Sequence, residues 1–357
     1  MSERLPLLTP YHPPTGTNRN SSRQVRQPES TNLGPMSLST SDPYLSRALE
    51  LLLKNLPKSP ALWVKPPSGT RIPCADSSFY QPWYPEHQRL LKDGNTAWTP
   101  GSEFSNAVVF GGRHKEENVQ LVEACRSRGP VHFLIPNEYG AKSYRKLFEG
   151  ALEEEEVGRK SRLMRLRQSK DSQPKPLVEY SETLPGFVST PGLFCWDKPD
   201  KGSELLAQAL AEQELKGPVL DLGAGWGYLC KNLPEELELH LVEADSRGVE
   251  ACRRNLSGRP ATYHWADATE PATLPANLLN GMHTVITNPP FHTHKQAEPI
   301  LGGAFVANAH RFLRKGGRFY MVGNVHLGYF KLLETFFGEV KEIVRAHGFS
   351  VFGAVKR

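Results

Sequence analysis

The stretch VLDLGAGWGYL, residues Val219 to Leu229, joins a short apolar run to three glycines at alternate positions. A continuous apolar run of this length is typical of a strand buried on both faces of a parallel sheet. Glycines directly after such a strand let the backbone approach a ligand closely at the carboxyl edge of the sheet, where α/β folds bind. The stretch therefore predicts a buried strand followed by a ligand-binding loop with Gly223, Gly225 and Gly227.

Helix and strand patterns alternate around this loop. The sequence predicts four helices: SELLAQALAEQ with Ser203 as its N-cap, a helix near 227–233, SRGVEACRRNL, and a long helix over 296–313. It predicts strands at LELHLVE, ATYHWAD, HTVIT and RFYMVG. The chain ends in two β-like runs separated only by His347 and Gly348, which predict an antiparallel hairpin. The second half is therefore predicted to be a doubly wound, mostly parallel α/β sheet that ends in an antiparallel β-hairpin.

The first half has a shorter βαβα pattern, formed by AVVF, EENVQLVEACRSRG, VHFLIP and AKSYRKLFEG. In both halves a strand ends at a corner marked by Gly or Pro, VVFGGR and VITNPPF, before an amphipathic helix and a basic Gly turn. We interpret the halves as copies, of which the first is degenerate, because ALWVKPPSG is its nearest approach to a glycine-rich loop. Two domains also suit the length of 357 residues. The predicted boundaries are a disordered tail at 1–42, a degenerate domain at 43–175 and a catalytic domain at 176–357.

Acidic residues near the glycine loop indicate which ligand it holds. Glu243 ends the next predicted strand, at the distance expected for an acid that accepts both hydroxyl groups of a ribose. Tyr228 occupies the position of the third glycine of a dinucleotide site. The spacing G-x-G-x-G after Asp221 instead suits S-adenosylmethionine, whose ammonium group Asp221 would hold directly or through water, while Asp267 would accept from the adenine amino group. The alternatives are a structural turn for the glycines, a solvated strand end for Glu243 and a turn aspartate for Asp267.

The stretch TNPPFHTH, residues Thr287 to His294, contains two consecutive prolines, which can continue neither a strand nor a helix because they have no N–H group. Such a stiff corner would aim the side-chain oxygen of Asn288 and the main-chain oxygen of Pro289 at one place. Two acceptors that grip a conjugated amine favour the pyramidal nitrogen formed during methyl transfer, and Phe291 offers a face for a planar group. We predict Asn288, Pro289, Pro290 and Phe291 as catalytic residues, with Asn288 also beside the cofactor; the alternative is a rigid turn.

Composition bounds the location and the partners. A hydrophobic content of 38% and a charged content of 23% suit a globular protein, and neither a membrane-spanning window nor a secretory signal is recognisable, so a cytoplasmic monomer is expected. The five cysteines contain no Cys-x-x-Cys pair, and His292 and His294 have no acidic or cysteine companion nearby, so no metal is expected.

A formal charge of +5 favours a polyanionic partner without requiring one. The clearest basic cluster is GRKSRLMRLRQSK, residues 158–170, which directly follows the acidic run Glu153–Glu156. Two interpretations stay open: one solvated helix with segregated charges, or a patch that faces RNA.

Together these residues resemble the small-subunit ribosomal RNA guanine-N2 methyltransferases of the RsmC type and their large-subunit RlmG relatives. The resemblance runs from about Ala107 to the C-terminus and includes FLIPNEYGAKS, LPGFVSTPGLFCWDKPDKGSELL, VLDLGAGWG and ITNPPFHTHKQ. It implies two tandem class I (Rossmann-like) methyltransferase domains, of which only the second carries cofactor and catalysis. Asp221, Gly223, Gly225 and Glu243 match cofactor contacts, and Asn288 to Phe291 match the catalytic tetrapeptide. The chain departs from the pattern at Asp267, where some relatives have asparagine, and at Cys195, Trp196 and Lys198.

The resemblance implies N2-methylation of a guanine in ribosomal RNA, in particular 16S rRNA, with ribosomal RNA or the small subunit as partner. Two other functions are open. Protein glutamine N5-methyltransferases also use an Asn-Pro-Pro-aromatic corner, although usually with Tyr where this chain has Phe291. A ribosome-assembly factor without catalysis is the other, and the intact loop and corner argue against it.

Overall fold

Two seven-stranded sheets form the framework of the protein. The structure, a computed structural model, describes residues 61–70, 72, 76–158, 160–170, 173–290 and 298–357, all within one compact unit. The tail predicted for residues 1–42 lies outside the described residues. In the part of the chain that is described, no helix is long and apolar enough to cross a membrane.

The first sheet has the strand order β3-β2-β1-β4-β5-β7-β6, in which β3 to β5 are parallel and β7 and β6 antiparallel. Its strands are β1 (Leu62–Val64), β2 (Ser78–Tyr80), β3 (Thr96–Ala97), β4 (Ala107–Phe110), β5 (Val131–Pro136), β6 (Leu152–Val157) and β7 (Ser161–Leu166). Its helices are α1 (Tyr84–Lys92), α2 (Lys115–Arg126) and α3 (Ala141–Leu147). A two-stranded sheet of β8 (Ser181–Leu184) and β9 (Phe187–Ser189) follows.

The second sheet repeats this order as β12-β11-β10-β13-β14-β16-β15. Its strands are β10 (Val219–Leu222), β11 (Leu239–Glu243), β12 (Ala261–Trp265), β13 (Met282–Thr287), β14 (Leu313–Asn324), β15 (Glu339–Ala346) and β16 (Phe349–Val355). Its helices are α4 (Lys201–Ala211), α5 (Tyr228–Lys231), α6 (Ser246–Asn255), α7 (Glu298–Phe312) and α8 (Tyr329–Phe336). The predicted fold, with two Rossmann-like sheets and a C-terminal antiparallel hairpin, is confirmed.

The matching orders support the interpretation that the two halves are copies. Strand β1 occupies the place of β10, so the segment after Val64 stands where the second sheet has its glycine loop. Strand β4, which Gly111 follows, likewise occupies the place of β13, which the Asn-Pro-Pro corner follows. The equivalence aligns the two corners that are similar in sequence.

Burial on both faces explains the continuous apolar strands of the second sheet. All four residues of β10 are buried, with Leu220 and Leu222 in the core under α7 and Val219 in the core under α4 and α6. Because side chains alternate across a strand, a strand with a core on each face needs apolar residues at nearly every position. This sandwich leaves the ends of the strands as the places where polar groups meet.

The centre of the basic segment, Ser161–Leu166, is strand β7 and not part of the helix that one interpretation predicted. Strand β7 pairs antiparallel with β6, and Arg165 lies directly opposite Glu154. Arg165 donates to Glu154 at 2.8 Å and Arg162 donates to Glu155 at 2.5 Å. Opposite charges on facing strands stabilise a hairpin, so the acidic and basic runs serve as the two arms of one sheet edge.

Candidate functional site

Four neighbouring strands of the second sheet end at one edge. Since β10, β11, β12 and β13 are parallel, their carboxyl ends place the glycine loop, Glu243, Asp267 and Asn288 side by side. A cavity of about 310 Å³ opens there, within the size range of small-ligand sites. Seven predicted site residues line it: Gly223, Gly225, Glu243, Asp267, Asn288, Pro289 and Pro290.

The three glycines of the loop have different tasks, although all have positive φ angles of 77°, 59° and 83°. Gly223 and Gly225 line the cavity, and a Cβ atom on Gly225 would meet nothing within 4 Å, so its backbone borders open space. Gly227 precedes α5 in the left-handed conformation, and a Cβ atom there would lie 3.2 Å from Cys252 Sγ. Its position indicates a packing and turn role, and a cofactor contact from Gly227 stays a prediction.

The carboxylate of Glu243 lies at the cavity and is held by two backbone groups. The N–H of Gly225 donates to Glu243 Oε2 at 2.7 Å and the N–H of Asp245 donates to Oε1 at 2.8 Å. Burial raises the pKa of Glu243 to about 7, against the lowering effect of these hydrogen bonds. Each oxygen can accept a further hydrogen bond, so the predicted role as a ribose acceptor fits this geometry.

Asp221 lies beneath the loop and not in the cavity wall. Its side chain is 0% exposed, and Cys230 Sγ donates to Oδ2 at 3.4 Å. Burial raises the pKa of Asp221 to about 7, although the hydrogen bond from Cys230 lowers it. Among the described residues Oδ1 has no hydrogen-bond partner. The predicted contact with an ammonium group therefore stays a prediction that requires a water or a shift of the loop.

Asp267 forms a local turn at the rim of the cavity. Its Oδ1 accepts from Thr269 N at 2.8 Å and from Thr269 Oγ1 at 2.6 Å, which is a local turn. The residue also lines the cavity beside Ala268 and Thr269. The turn holds the carboxylate at the rim, and acceptance from an adenine amino group stays a prediction.

The amide of Asn288 is oriented by two acceptors. Its Nδ2 donates to Asp200 Oδ2 at 2.9 Å and to Ser203 Oγ at 2.8 Å. Its Oδ1 is buried and has no partner within the described residues. Because both N–H groups of Asn288 are used on one side, its carbonyl oxygen is left as an acceptor, and its predicted contact with a substrate amine stays a prediction.

Asp200 is a site residue that the sequence reasoning missed. It is the N-cap of α4, where its Oδ2 accepts from Gly202 N at 2.9 Å and Ser203 N at 3.1 Å. The prediction of Ser203 as the N-cap is wrong, since the N-cap is Asp200, three residues earlier, and the Ser203 hydroxyl accepts from Asn288 instead. The sequence signal was present as Asp200 before a helical run, but its contact with Asn288 spans 88 residues.

The proline corner is only partly described. Pro289 and Pro290 line the cavity, in agreement with their predicted place. Phe291, His292 and His294 lie outside the described residues, so the predicted stacking face of Phe291 stays a prediction. Phe194 is 62% exposed and lines both the cavity and a neighbouring cleft that also contains Asp200 and Asn288. Phe194 is thus an aromatic group at the site that sequence reasoning did not single out.

The first sheet also reaches the cavity. Trp83 and Pro85 line it opposite residues of the second sheet, although every predicted cofactor contact lies beyond residue 180. Arg162 and Arg165 of the basic segment are paired with Glu155 and Glu154, and Arg167 donates to the carbonyl of Gly150. The interpretation of this segment as an RNA-facing patch gains no support from arginines that are already paired.

Residues 185–353 match the family described as Methyltransferase small domain. Ribosomal RNA large subunit methyltransferase G of Magnetococcus marinus is 32% identical over 175 residues, which cover 46% of this chain and 45% of that protein. Ribosomal RNA small subunit methyltransferase C of Alteromonas mediterranea is 31% identical over 173 residues, which cover 47% of this chain and 46% of that protein. The chain spans about half the length of the curated relatives it matches.

A solved structure extends the similarity of fold to both sheets. The 16S rRNA N2 methyltransferase RsmC of T. thermophilus, solved in complex with AdoMet and guanosine, has a TM-score of 0.69 and 22% sequence identity. The match covers 89% of this chain and 92% of that chain. The resemblance predicted from the sequence motifs is therefore confirmed, and the fold with two tandem sheets is the one that it implied.

Proposed function

Since residues 185–353 match the methyltransferase small domain, we propose that this chain transfers a methyl group from S-adenosylmethionine to N2 of a guanine in 16S ribosomal RNA. The observation that carries the proposal is Asn288 Oδ1, which is buried beside the cavity of the glycine loop and Glu243 and accepts no hydrogen bond from the residues that the structure describes. The similarity to RsmC and RlmG methyltransferases supports ribosomal RNA as the substrate class. The proposed catalytic domain is 176–357, and the proposed degenerate domain is 43–175.

The cavity fits S-adenosylmethionine. Gly225 leaves open space where a ligand can approach the backbone, and Glu243 offers acceptors for ribose hydroxyls. One oxygen of the buried Asp221 carboxylate has no hydrogen-bond partner in the described part of the chain, which suits a cationic ligand above it. When bound, S-adenosylmethionine supplies an electrophilic methyl group on a positively charged sulfur. The residues that would hold it are Gly223, Gly225, Glu243, Asp267 and, from below, Asp221.

The Asn-Pro-Pro corner supplies the chemistry on the acceptor side. The lone pair of the guanine N2 amine is delocalised into the ring, which makes the amine a poor nucleophile. Asn288 Oδ1 and the main-chain oxygen of Pro289 would each accept one N–H of that amine and so favour its pyramidal form. Asp200 and Ser203 accept from both N–H groups of the Asn288 side chain and so keep its oxygen turned toward the amine.

Methyl transfer to small ribosomal subunits tests the proposed function. Subunits from a strain that lacks this protein should gain N2-methylguanosine when incubated with the purified chain and labelled S-adenosylmethionine. Mass spectrometry of digested 16S rRNA identifies the modified nucleoside and its position, and large subunits from the same strain are the matched control. Label in N5-methylglutamine of a protein, or in 23S rRNA alone, would contradict the proposed substrate, and no transfer to any ribosomal component would favour an assembly factor.

Glu243→Gln should weaken S-adenosylmethionine binding by about 1–3 kcal/mol, because a charged acceptor becomes a neutral one. The glutamine keeps an acceptor oxygen for one backbone N–H, so it perturbs the loop less than alanine would. Since the pKa of Glu243 is raised to about 7, its carboxylate form and hence cofactor affinity should increase as the pH rises from 6 to 8. Calorimetric titration across this range should show the rise in the wild type.

The pH profile of two variants separates the contributions of the two acids. Asp221, whose pKa is also raised to about 7, can add to the same rise. Glu243→Gln should remove the part of the pH-dependent increase in cofactor affinity that is due to Glu243. Asp221→Asn should remove the remainder of that increase. A pH profile that Glu243→Gln leaves unchanged would contradict the assignment of Glu243 as the ribose acceptor.

A further inference from the structure

A short segment of the first half, which connects β2 to α1, lies beside the cavity at the edge of the second sheet. Backbone hydrogen bonds join the two, since Tyr84 N–H donates to Ala244 O at 2.8 Å and Ser246 N–H donates to Pro82 O at 2.9 Å. Between them Trp83 forms an antiparallel bridge with Asp245. The segment 81–84 is therefore paired with the residues that directly follow the ribose acceptor Glu243.

Side chains from both sheets fix this segment. Trp265 donates to Ala244 O at 2.8 Å, and its ring meets those of Tyr84 and His87 edge-on at 5.5 and 4.6 Å. Gln81 accepts from Trp83 N at 3.2 Å and donates to Pro66 O at 3.1 Å. Because backbone and neighbours are held in this way, the position of Trp83 is set before any ligand arrives.

The Trp83 side chain faces the cavity without being buried by protein. It is 46% exposed, and it lines the cavity with Glu243, Ala244 and Asp267. A large aromatic surface left in a ligand cavity is a stacking surface for a planar ligand group. The carboxylates of Glu243 and Asp267 belong to the ribose and adenine end of the proposed ligand. Asn288 and Phe194 line the same cavity and also a neighbouring cleft that contains Asp200.

We propose that the first sheet completes the cofactor site, with the Trp83 indole stacking on the adenine ring of S-adenosylmethionine. This inference rests on the proposed function for the identity of the ligand. It assigns to the degenerate half a direct part in cofactor binding, in addition to any contact with RNA. The cofactor site then spans both halves of the chain, whereas the resemblance implied that only the second domain carries the cofactor.

The test measures S-adenosylmethionine and S-adenosylhomocysteine affinity of the full chain by calorimetry. Trp83→Ala should weaken both by about tenfold or more, the scale on which a stacked base depends on one aromatic side chain. Trp83→Phe keeps a stacking face and should retain most of the affinity. Trp98→Ala is the matched control, because Trp98 belongs to the same sheet, donates to Ser102 O and does not line the cavity described here.

Fluorescence gives a second readout that does not depend on the folding of an alanine variant. Ligand binding should quench the emission of Trp83. The chain has six tryptophans, and the emission of Trp83 is the difference between the spectra of the wild type and Trp83→Phe. Unchanged affinity in folded Trp83→Ala would overturn the inference while the proposed function stands. A rise only in the KM for ribosomal subunits would also overturn it, since Trp83 would then serve the target base. Absence of cofactor binding in the wild type would instead refute the proposed function.

Discussion

Asn288→Ala should lower the rate of methyl transfer by about a hundredfold or more while leaving the Kd of S-adenosylmethionine nearly unchanged. Loss of one aligned polar group at a reacting centre costs on this scale. The substitution removes the buried Oδ1 that has no partner within the described residues and therefore has acceptor capacity for the substrate. Single-turnover transfer to undermethylated small subunits, with cofactor affinity measured in parallel, separates the two effects.

Ser203→Ala is the companion variant that tests how Asn288 is oriented. It removes one of the two acceptors of Asn288 Nδ2 but leaves the N-cap at Asp200 and the Asn288 oxygen in place. We expect a smaller fall in turnover than for Asn288→Ala, because Asp200 still holds the amide at 2.9 Å. Equal losses of turnover and of cofactor affinity in Asn288→Ala would indicate a structural turn and contradict the catalytic assignment.

Glu117→Ala should lower the free energy of unfolding by about 3–5 kcal/mol, the cost of removing one partner from a buried ion pair. Glu117 of helix α2 is 1% exposed, and it accepts from Lys65 and, at 2.5 Å, from Arg247 of helix α6. Arg247 is 5% exposed and also pairs with Asp245 at 2.6 Å. Burial would raise the pKa of Glu117, but Lys65 and Arg247 outweigh it and the pKa lies below its usual value.

The sign of that shift predicts a pH dependence. A carboxyl group with a lowered pKa stabilises the folded state above its unfolded pKa and loses this contribution as the pH falls toward its folded pKa. The stability difference between wild type and Glu117→Ala should therefore be full at neutral pH and shrink below about pH 4.5. Denaturant unfolding at several pH values measures it.

Glu250→Ala is the control for this network. Glu250 pairs with Arg254 on the exposed side of the same helix that carries Arg247, at 2.9 Å. Exposed pairs one helical turn apart contribute only about 0.3–0.5 kcal/mol. Equal losses for the two variants would show that the buried network does not stabilise the fold.

The glycine loop and the Asn-Pro-Pro corner could be predicted from sequence because their information is local. A buried strand must be apolar on both faces, and the residues that follow it in a parallel sheet meet at one edge, so the strand order alone brings Glu243 to Gly225. The repeated corners likewise predicted a copied fold. Short-range patterns sufficed for these features.

Contacts between distant segments left no local pattern. Asp200 reads as an ordinary helix cap, and Trp83 as an aromatic residue before a helix, until the fold brings each to the cavity. The Glu117–Arg247 pair joins residues 130 positions apart, which no periodicity indicates. The charges of the basic segment suggested the surface of a solvated helix. The structure instead pairs them with the acidic residues of the neighbouring strand.

The hydrogen bonds between Pro82, Tyr84 and the turn after β11 have a consequence for any attempt to recombine these halves. A chimera that joins the second sheet to a foreign partner would lose three things at once: the strand-like pairing beside Glu243, the Trp83 wall and the countercharge of Arg247. A chimera that keeps the second sheet must therefore also keep residues 81–87, Lys65 and Glu117 of the first half. Substitutions in the first half at this contact must be matched by substitutions in the second half, because each half supplies hydrogen-bond partners and opposite charges to the other.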